Sequence, residues 1–328
     1  MLKQIKNNPS GNLARIQALS HARLSNYRSF FGATDDAQAL GLYQWNDELS
    51  GCLFRTISWV EVLLRNQFHY AFSLRYGAVG THDSKDWYAY VALNSLSQEK
   101  IRKITHYKQG QQFLPRNPAP SPNDVVSKLT FGFWSHLLDL KKDTLNQPID
   151  WGNILLDVLP GHRQRQATHW AKLKHQDALF ARLDLCTELR NRIAHHEPIW
   201  KLGELMNEAR ARQGKPITIQ APAPTSPSEA LARLNLLYGR VIELLDWLSP
   251  DIAAQHTTSE LHLRCISLLQ LETLKAYQHA KPPAEIDLAK MHNLRNLRKA
   301  LRYASRHQQP ILIKDGRRII GRLTSCVP

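Results

Sequence analysis

At 328 residues and 43% hydrophobic side chains, the chain can bury a sizeable core, as one large domain or two modest ones. Lys plus Arg outnumber Asp plus Glu by 43 to 28, a net +15 that favours nucleic acid or an anionic membrane surface as partner and does not bear on fold. No apolar run approaches the ~20 residues that span a bilayer. Residues 1–10 carry no apolar signal core. Cys52, Cys186, Cys265 and Cys326 form no Cys-x-x-Cys pair, which argues against a disulfide scaffold and a Cys-based zinc site. The expectation is a soluble, cytoplasmic, basic globular protein with neither cofactor nor metal.

Almost every periodic segment reads as helix. Residues 36–76 predict two helices meeting near Gly51, the second lined by Leu53, Ile57, Val60, Leu64, Phe68 and Phe72 and stopped by Gly77 and Gly80. A basic helix follows from Leu93 to His106, then a Pro-rich exposed loop from Gln109 to Pro122. Ser121-Pro-Asn-Asp124 marks the next helix start, and Val125 to Leu140 reads as helical around Phe131-Gly-Phe-Trp134, a core segment rather than a base-stacking platform. Shorter helices are expected over Trp151–Leu159 and Gly161–Lys174, the second carrying Arg163 and Arg165 as candidate RNA contacts. A further helix begins near Gln176. After a loose stretch from Gly214 to Ser226, the capping box Ser226-Pro-Ser-Glu229 opens a helix ending at Ser249-Pro250. Another helix runs from Ser259 to Tyr277, and Pro282-Pro283 marks a boundary between a helical domain (1–280) and a basic extension (281–328).

That extension holds eleven Lys/Arg against Glu285, Asp287 and Asp315. Its leucines (Leu288, Leu294, Leu297, Leu301) and Met291 alternate on a helix with Arg295, Arg298, Lys299 and Arg302, which reads as a phosphate-binding surface, and Ile311–Ile320 as a hairpin turning at Asp315-Gly316. No internal repeat is visible.

The chemistry concentrates at Glu188–Trp200, where Arg190, Asn191, His195 and His196 fall within two helical turns ahead of Pro198. Arg190 lies on the apolar stripe of Leu179, Leu183, Cys186 and Ile193, where an unpaired charge is costly. Asn191 and His195 are neighbours at i,i+4, and the helix ends by Glu197 because the residue before a proline is pushed out of αR. A histidine in that last turn faces the partial negative charge of the helix C-terminus. A titratable imidazole, an orienting amide and a permanent cation are the parts needed for metal-free RNA cleavage by 2′-OH attack. One helix points its Arg and His apart, so a two-fold dimer would be needed to gather two of each around one phosphate. Spacing alone does not separate this from a helix whose motif merely packs a dimer.

The string Leu189-Arg-Asn-Arg-Ile-Ala-His-His-Glu-Pro-Ile-Trp200 resembles the Arg-Asn-x3-His-His-x2-Ile-Trp motif of the Abi-like (abortive infection) proteins, a branch of the HEPN superfamily of helical ribonucleases. Leu19–Tyr27, Leu42-Tyr-Gln-Trp-Asn46, Val60–Asn66 with its Glu-x3-Arg, and Ser249-Pro-Asp251 are similar to further family segments in the family's order, so the resemblance spans roughly 15–255. It implies an all-α HEPN-type bundle with additional helices, here followed by a small basic C-terminal helix plus β-hairpin. It also implies a homodimer with Arg190, Asn191 and His195 lining a cleft between protomers, and His196 beside them. The implied activity is a metal-independent endoribonuclease acting as a toxin or phage-defence effector, with RNA as substrate and as a possible regulator. The alternative is an RNA-binding module that holds a structured non-coding RNA without cutting it.

Glu61, Arg65 and His69 stand at i, i+4 and i+8. Arg65 and His69 read as structural. Glu61 is open between an internal ion pair and a supporting contact to Arg190 or His195. His82-Asp-Ser-Lys-Asp86 reads as a polar loop.

Overall fold

The computed structural model describes residues 3–4, 9–77, 85–212, 216–279, 284–290, 294–307 and 311–323. A short strand β1 (Lys3–Gln4) precedes α1 (Pro9–Leu19) and α2 (His21–Phe31). Asp35 then caps α3 (Asp36–Ser73), its carboxylate accepting from the Gln38 N–H. This is one uninterrupted helix of 38 residues, not the two that Gly51 suggested. A glycine costs a helix interior only about 1 kcal/mol, and Leu49, Leu53, Ile57 and Val60 carry one buried face past it. The helix stops at Ser73, ahead of Gly77, while Gly80 and residues 82–84 of the polar loop lie outside the described residues.

Asn94 caps α4 (Ser95–Thr105), and the chain turns back in an antiparallel hairpin of β2 (His106–Gln109) and β3 (Gln112–Pro115) through Gly110 at φ 62°. The Pro-rich segment is thus a strand before it is a loop. The Ser121–Asp124 capping box forms and opens α5 (Pro122–Ser127). Thr130, in extended backbone, restarts the chain as α6 (Phe131–His136), which replaces the single helix expected through Leu140. Phe131, Phe133 and Trp134 are all core residues.

Helix α7 (Trp151–Val158) lies where its pattern put it, but the basic helix of 161–174 shrinks to α8 (Ala167–Trp170). Gly161 donates its N–H to the Trp247 carbonyl (2.9 Å), and a Cβ there would meet the Asp246 carbonyl oxygen at 2.0 Å. Pinned to a distant helix end, this stretch cannot wind. Next come α9 (Leu173–Ala194) and an antiparallel pair of β4 (Leu205–Met206) and β5 (Ile219–Ala221), the second of them within the stretch read as loose. Ser226 caps α10 (Pro227–Leu248) by accepting from the Glu229 N–H (3.3 Å), while the Glu229 carboxylate reaches the Thr225 N–H (2.7 Å) instead of that of Ser226.

Three further helices follow: α11 (Pro250–Thr257), α12 (Glu260–Leu268) and α13 (Leu271–Gln278). The last two were expected as one. They separate where the Leu268 and Leu269 carbonyls accept from Trp45 Nε1 (2.7 Å) and Asn235 Nδ2 (3.2 Å), side-chain partners that replace helical ones.

Helix α3 is the spine. Its C-terminal half packs Ile57, Val60, Leu64, Phe68 and Phe72 with Trp87, Trp134 and Trp151, and its N-terminal half packs Leu42, Trp45 and Leu49 with Tyr27, Trp200 and Leu268. The extension builds its own small core. Strand β6 (Ala284–Asp287) runs parallel to β7 (Ile311–Asp315) across α14 (Leu294–His307), and β7 turns at Gly316 (φ 59°) into β8 (Arg318–Leu323). The sheet order is β1-β6-β7-β8, so residues 3–4 sit with the extension and not with the helices. The fold is mostly helical, as expected, with small sheets: the expected β-hairpin of the extension, and further strands at β1, β2–β3, β4–β5 and β6. Among the described residues no helix is long and apolar enough to cross a membrane.

Candidate functional site

Helix α9 buries Leu179, Leu183, Cys186 and Leu189 against the core, each at 2% exposure or less. Burial pushes the Cys186 thiol up to about 12, so it is an inert packing group. The most deeply buried charged side chain on this helix is Arg182, at 6% exposure, and it donates four hydrogen bonds. Its guanidinium donates to Glu208 Oε1 and Oε2 (2.5 and 2.8 Å), Glu243 Oε2 (2.6 Å) and the Arg240 carbonyl (3.2 Å), and lies 4.9 Å from the Trp247 ring.

The C-terminus of α9 closes in a Schellman motif. His195 is the cap residue, its N–H on the Asn191 carbonyl. The His196 N–H bonds the Ile193 carbonyl (3.0 Å) and the Glu197 N–H bonds that of Arg192 (2.9 Å). His196 occupies the left-handed position (φ 54°) that glycine usually fills. The following loop is clamped on three sides. Arg192 donates to the Pro198 and Lys201 carbonyls (2.9 and 2.7 Å), the buried Ile199 N–H donates to Asn46 Oδ1 (3.0 Å), and Arg23 reaches the His196 carbonyl (3.3 Å). Trp200 is packed by Tyr27, Phe30 and Phe31, at centroid distances of 5.4, 4.6 and 4.9 Å.

This clamping leaves a groove of about 390 Å³ between the helix end and α3. One wall is Tyr43, Asn46, Asp47, Ser50, Gly51 and Phe54; the other is Arg190, Ile193, Ala194, His196 and Glu197. Gly51 lines the groove, but a Cβ on it would meet nothing within 4 Å, so packing does not require a glycine there. Arg190 is half-buried, with a single long contact from Nη1 to Asn191 Oδ1 (3.5 Å). Although Asp47 and Glu197 line the same groove, no carboxylate among the described residues pairs with Arg190. Asn191 and His195 are exposed and stand outside the groove's lining, so within one chain it is His196 that shares the groove with Arg190.

A profile of the Abi-like protein family matches residues 14–201. The chain belongs to the Abi-like family. The match takes in both groove walls and ends at Lys201, short of the residue 255 to which the sequence resemblance ran, so α10 and Ser249–Asp251 of this Abi-like chain lie beyond it. Comparison with curated proteins found no match, and neither did comparison with solved structures.

The other candidate residues divide. Glu61 is half-buried and bonds neither Arg190 nor His195. Arg65 donates to the Ser127 carbonyl (3.2 Å), and His69 bonds Asn123 Oδ1 (3.2 Å) and accepts from Trp87 Nε1 (3.0 Å). Arg165 is occupied too, since its Nη1 caps α7 through the Leu156 and Leu159 carbonyls (3.1 and 2.8 Å), while Arg163 is exposed. Arg295, Arg298, Lys299 and Arg302 are all exposed on α14. Among the described residues, no group of three or more His, Cys, Asp or Glu could hold a metal ion. Sequence reasoning missed Arg182, Arg192 and Asn46 as organising residues. Asn46 and Arg192 lie inside the quoted family segments, but only folding reveals what their side chains hold.

Proposed function

We propose that this chain is a metal-independent endoribonuclease of the abortive-infection type, built on a HEPN-type helical core and acting as a homodimer in the cytoplasm. The observation that carries the reading is Arg190: a half-buried guanidinium facing a groove, with no carboxylate to neutralise it. Such a group suits a phosphoryl oxygen that gains charge in the transition state. Asn191 and His195 stand exposed on the same helix end, where a second copy could meet them. The exposed apolar side chains of Phe54, Trp59 and Val62 on α3 support such a contact, with Phe54 itself on the groove.

In the reaction, the ribose 2′-OH attacks the adjacent phosphorus and one His195 imidazole takes its proton. The partner subunit's His195 protonates the departing 5′-oxygen, and Arg190 with its partner copy neutralises the phosphorane. The products are a 2′,3′-cyclic phosphate and a 5′-hydroxyl. Asn191 orients the imidazole, and His196 shapes the groove beside Arg190. Glu61, which bonds neither Arg190 nor His195 within one chain, supports the site across the dimer.

The test is cleavage of a defined RNA in EDTA by wild type, Arg190→Ala and His195→Ala. Expected are cyclic-phosphate ends for wild type, loss of about 10²–10⁴ in rate for each variant, unchanged folding, and activity that falls on dilution below the dimer's dissociation constant. Cleavage that stops in EDTA overturns the mechanism. A purified chain that carries one discrete RNA and never cuts it selects the RNA-holding alternative.

A further inference from the structure

Helix α14 presents Arg295, Arg298, Lys299, Arg302 and Arg306 to solvent. At 100° per residue these fall within an arc of ~100°, in a stripe ~16 Å long. The helix contains no acid, and none of the five forms an ion pair among the described residues. Nearby acids are already engaged: Glu285 pairs with Lys314, and Asp287 accepts from the N–H groups of Ala289 (3.2 Å) and Gly316 (3.1 Å). A row of like charges repels itself, and no ion pair among the described residues offsets it.

We propose that this stripe of α14 is a docking surface for the phosphodiester backbone of a nucleic acid. Charge complementarity selects a polyanion, and the helix's other side selects between polyanions. An amphipathic helix lies on an anionic membrane by inserting its apolar face. In α14 part of that face is already covered: Ala300 (3% exposed) is packed with Ile286 and Ile311 on the β6–β7 strands, with Tyr303 and Leu323 against them, while Leu301 stays 40% exposed. What is left to the solvent is mainly cationic. Such a stripe contacts phosphates and reads no bases, and the deep, narrow major groove of A-form RNA would exclude side chains in any case. The surface lies outside the family-matched residues 14–201 and is independent of whether the groove at Arg190 cuts anything.

The test uses the full chain and a fluorescent 2′-O-methylated RNA hairpin, which 2′-OH attack cannot cut, beside a DNA hairpin of the same sequence and vesicles containing phosphatidylglycerol. Removing three cations in Arg298→Gln/Lys299→Gln/Arg302→Gln should weaken hairpin binding by at least about tenfold at 100 mM salt. It should also flatten the slope of log K against log salt by about 2–3, at ~0.7–0.9 per lost phosphate contact. Arg298→Lys/Arg302→Lys, which keeps the charge, should bind as wild type does. Loss on both hairpins assigns the surface to nucleic-acid backbone in general, and loss on RNA alone narrows it to RNA. An unchanged slope in the triple variant overturns the proposal, as does a Lys variant as weak as the Gln one, or tighter binding to vesicles than to either hairpin. Cleavage of a short oligonucleotide at the groove should not respond to the triple variant, so the two hypotheses can fail separately.

Discussion

Arg182 and Arg190 are borne on the same helix and differ in almost everything else. Arg182 is buried and surrounded by Glu208, Glu243, a backbone carbonyl and an indole face. Arg190 is half-buried, opens on the groove and has only Asn191 at 3.5 Å. Taking a guanidinium out of water is costly unless something compensates. For Arg182 the chain supplies that compensation itself. For Arg190 it leaves the requirement open, which is why one arginine reads as architecture and the other as a site for an anion from outside the chain.

Exchanging the two roles is the sharpest way to break this contrast. Arg182→Met should destabilise the fold by about 2–4 kcal/mol in urea denaturation, because it leaves Glu243 without its cation and Glu208 with Arg240 alone (3.3 Å). The figure stays below that for a deeply buried pair, since the Glu243 side chain is 53% exposed and can rehydrate. Arg190→Met should shift stability by less than about 0.5 kcal/mol while removing RNA cleavage. Equal stability losses in the two variants would refute the distinction.

The sequence showed the oddity at Arg190 but not the one at Arg182, and the reason is physical. The stripe periodicity of α9 is a local property, so a charge interrupting it is visible at once. That Arg182 is paired depends on Glu208 and Glu243, which approach only after the chain has passed through β4 and most of α10. The same divide runs through the fold. Caps at Asp35, Ser121 and Ser226 act over three or four residues, and helices duly start at each. The break between α12 and α13 depends on Trp45, more than 200 residues away, and β6 is a strand because β1 and β7, both distant in sequence, lie on either side of it. The candidate groove was half legible: the Arg190 and His196 wall stood in the motif, while the Asn46–Asp47–Ser50 wall lay in a helix read for its core face.

Asn46 tests how far the open side relies on the closed one. It holds the buried Ile199 N–H and thereby the loop that shapes the groove. Asn46→Leu should cost about 1–3 kcal/mol by leaving that N–H unpaired. It should also lower cleavage more than Arg182→Lys does, read as kcat at matched folded fraction. No loss of stability would mean that the clamp is not needed.

Acid provides a milder perturbation of the same packing. Burial lowers His256, which sits at 3.4 Å from both Thr56 Oγ1 and the Tyr238 hydroxyl, and it lowers His262, whose Nδ1 is 2.8 Å from that hydroxyl. A histidine held below its unfolded value is neutral in the folded chain while the unfolded chain binds a proton, so stability is full above about pH 6.5 and declines as pH falls toward the folded values. Glu48 and Asp139 are lowered too, by Arg264 and Arg210 against the opposing effect of burial, but their contribution is lost only below about pH 4.5. Tm should therefore fall between pH 7 and pH 5, and fall less in His256→Gln/His262→Gln. The contrast between Arg182 and Arg190 should survive the change. A Tm that is flat from pH 7 to pH 5 would show that these imidazoles are accommodated in both states.

The smallest effect expected is the most diagnostic for the groove. His196 takes a left-handed backbone that costs a side-chain-bearing residue roughly 1–2 kcal/mol, and it does so at the helix position where glycine is preferred. His196→Gly should relieve that cost, offset by glycine's greater freedom in the unfolded chain, and leave a net gain of up to about 1 kcal/mol in thermal or urea unfolding. Because His196 lines the groove beside Arg190 and His195 does not, the same substitution removes the only imidazole that one chain places there. If His195 carries the proton across a dimer, His196→Gly yields a more stable protein whose cleavage falls by less than about tenfold, well short of the 10²–10⁴ expected for His195→Ala. If instead His196→Gly silences the enzyme and His195→Ala spares it, the acid/base is the residue in the strained position, and the groove of a single chain already holds the cation and imidazole assigned above to two.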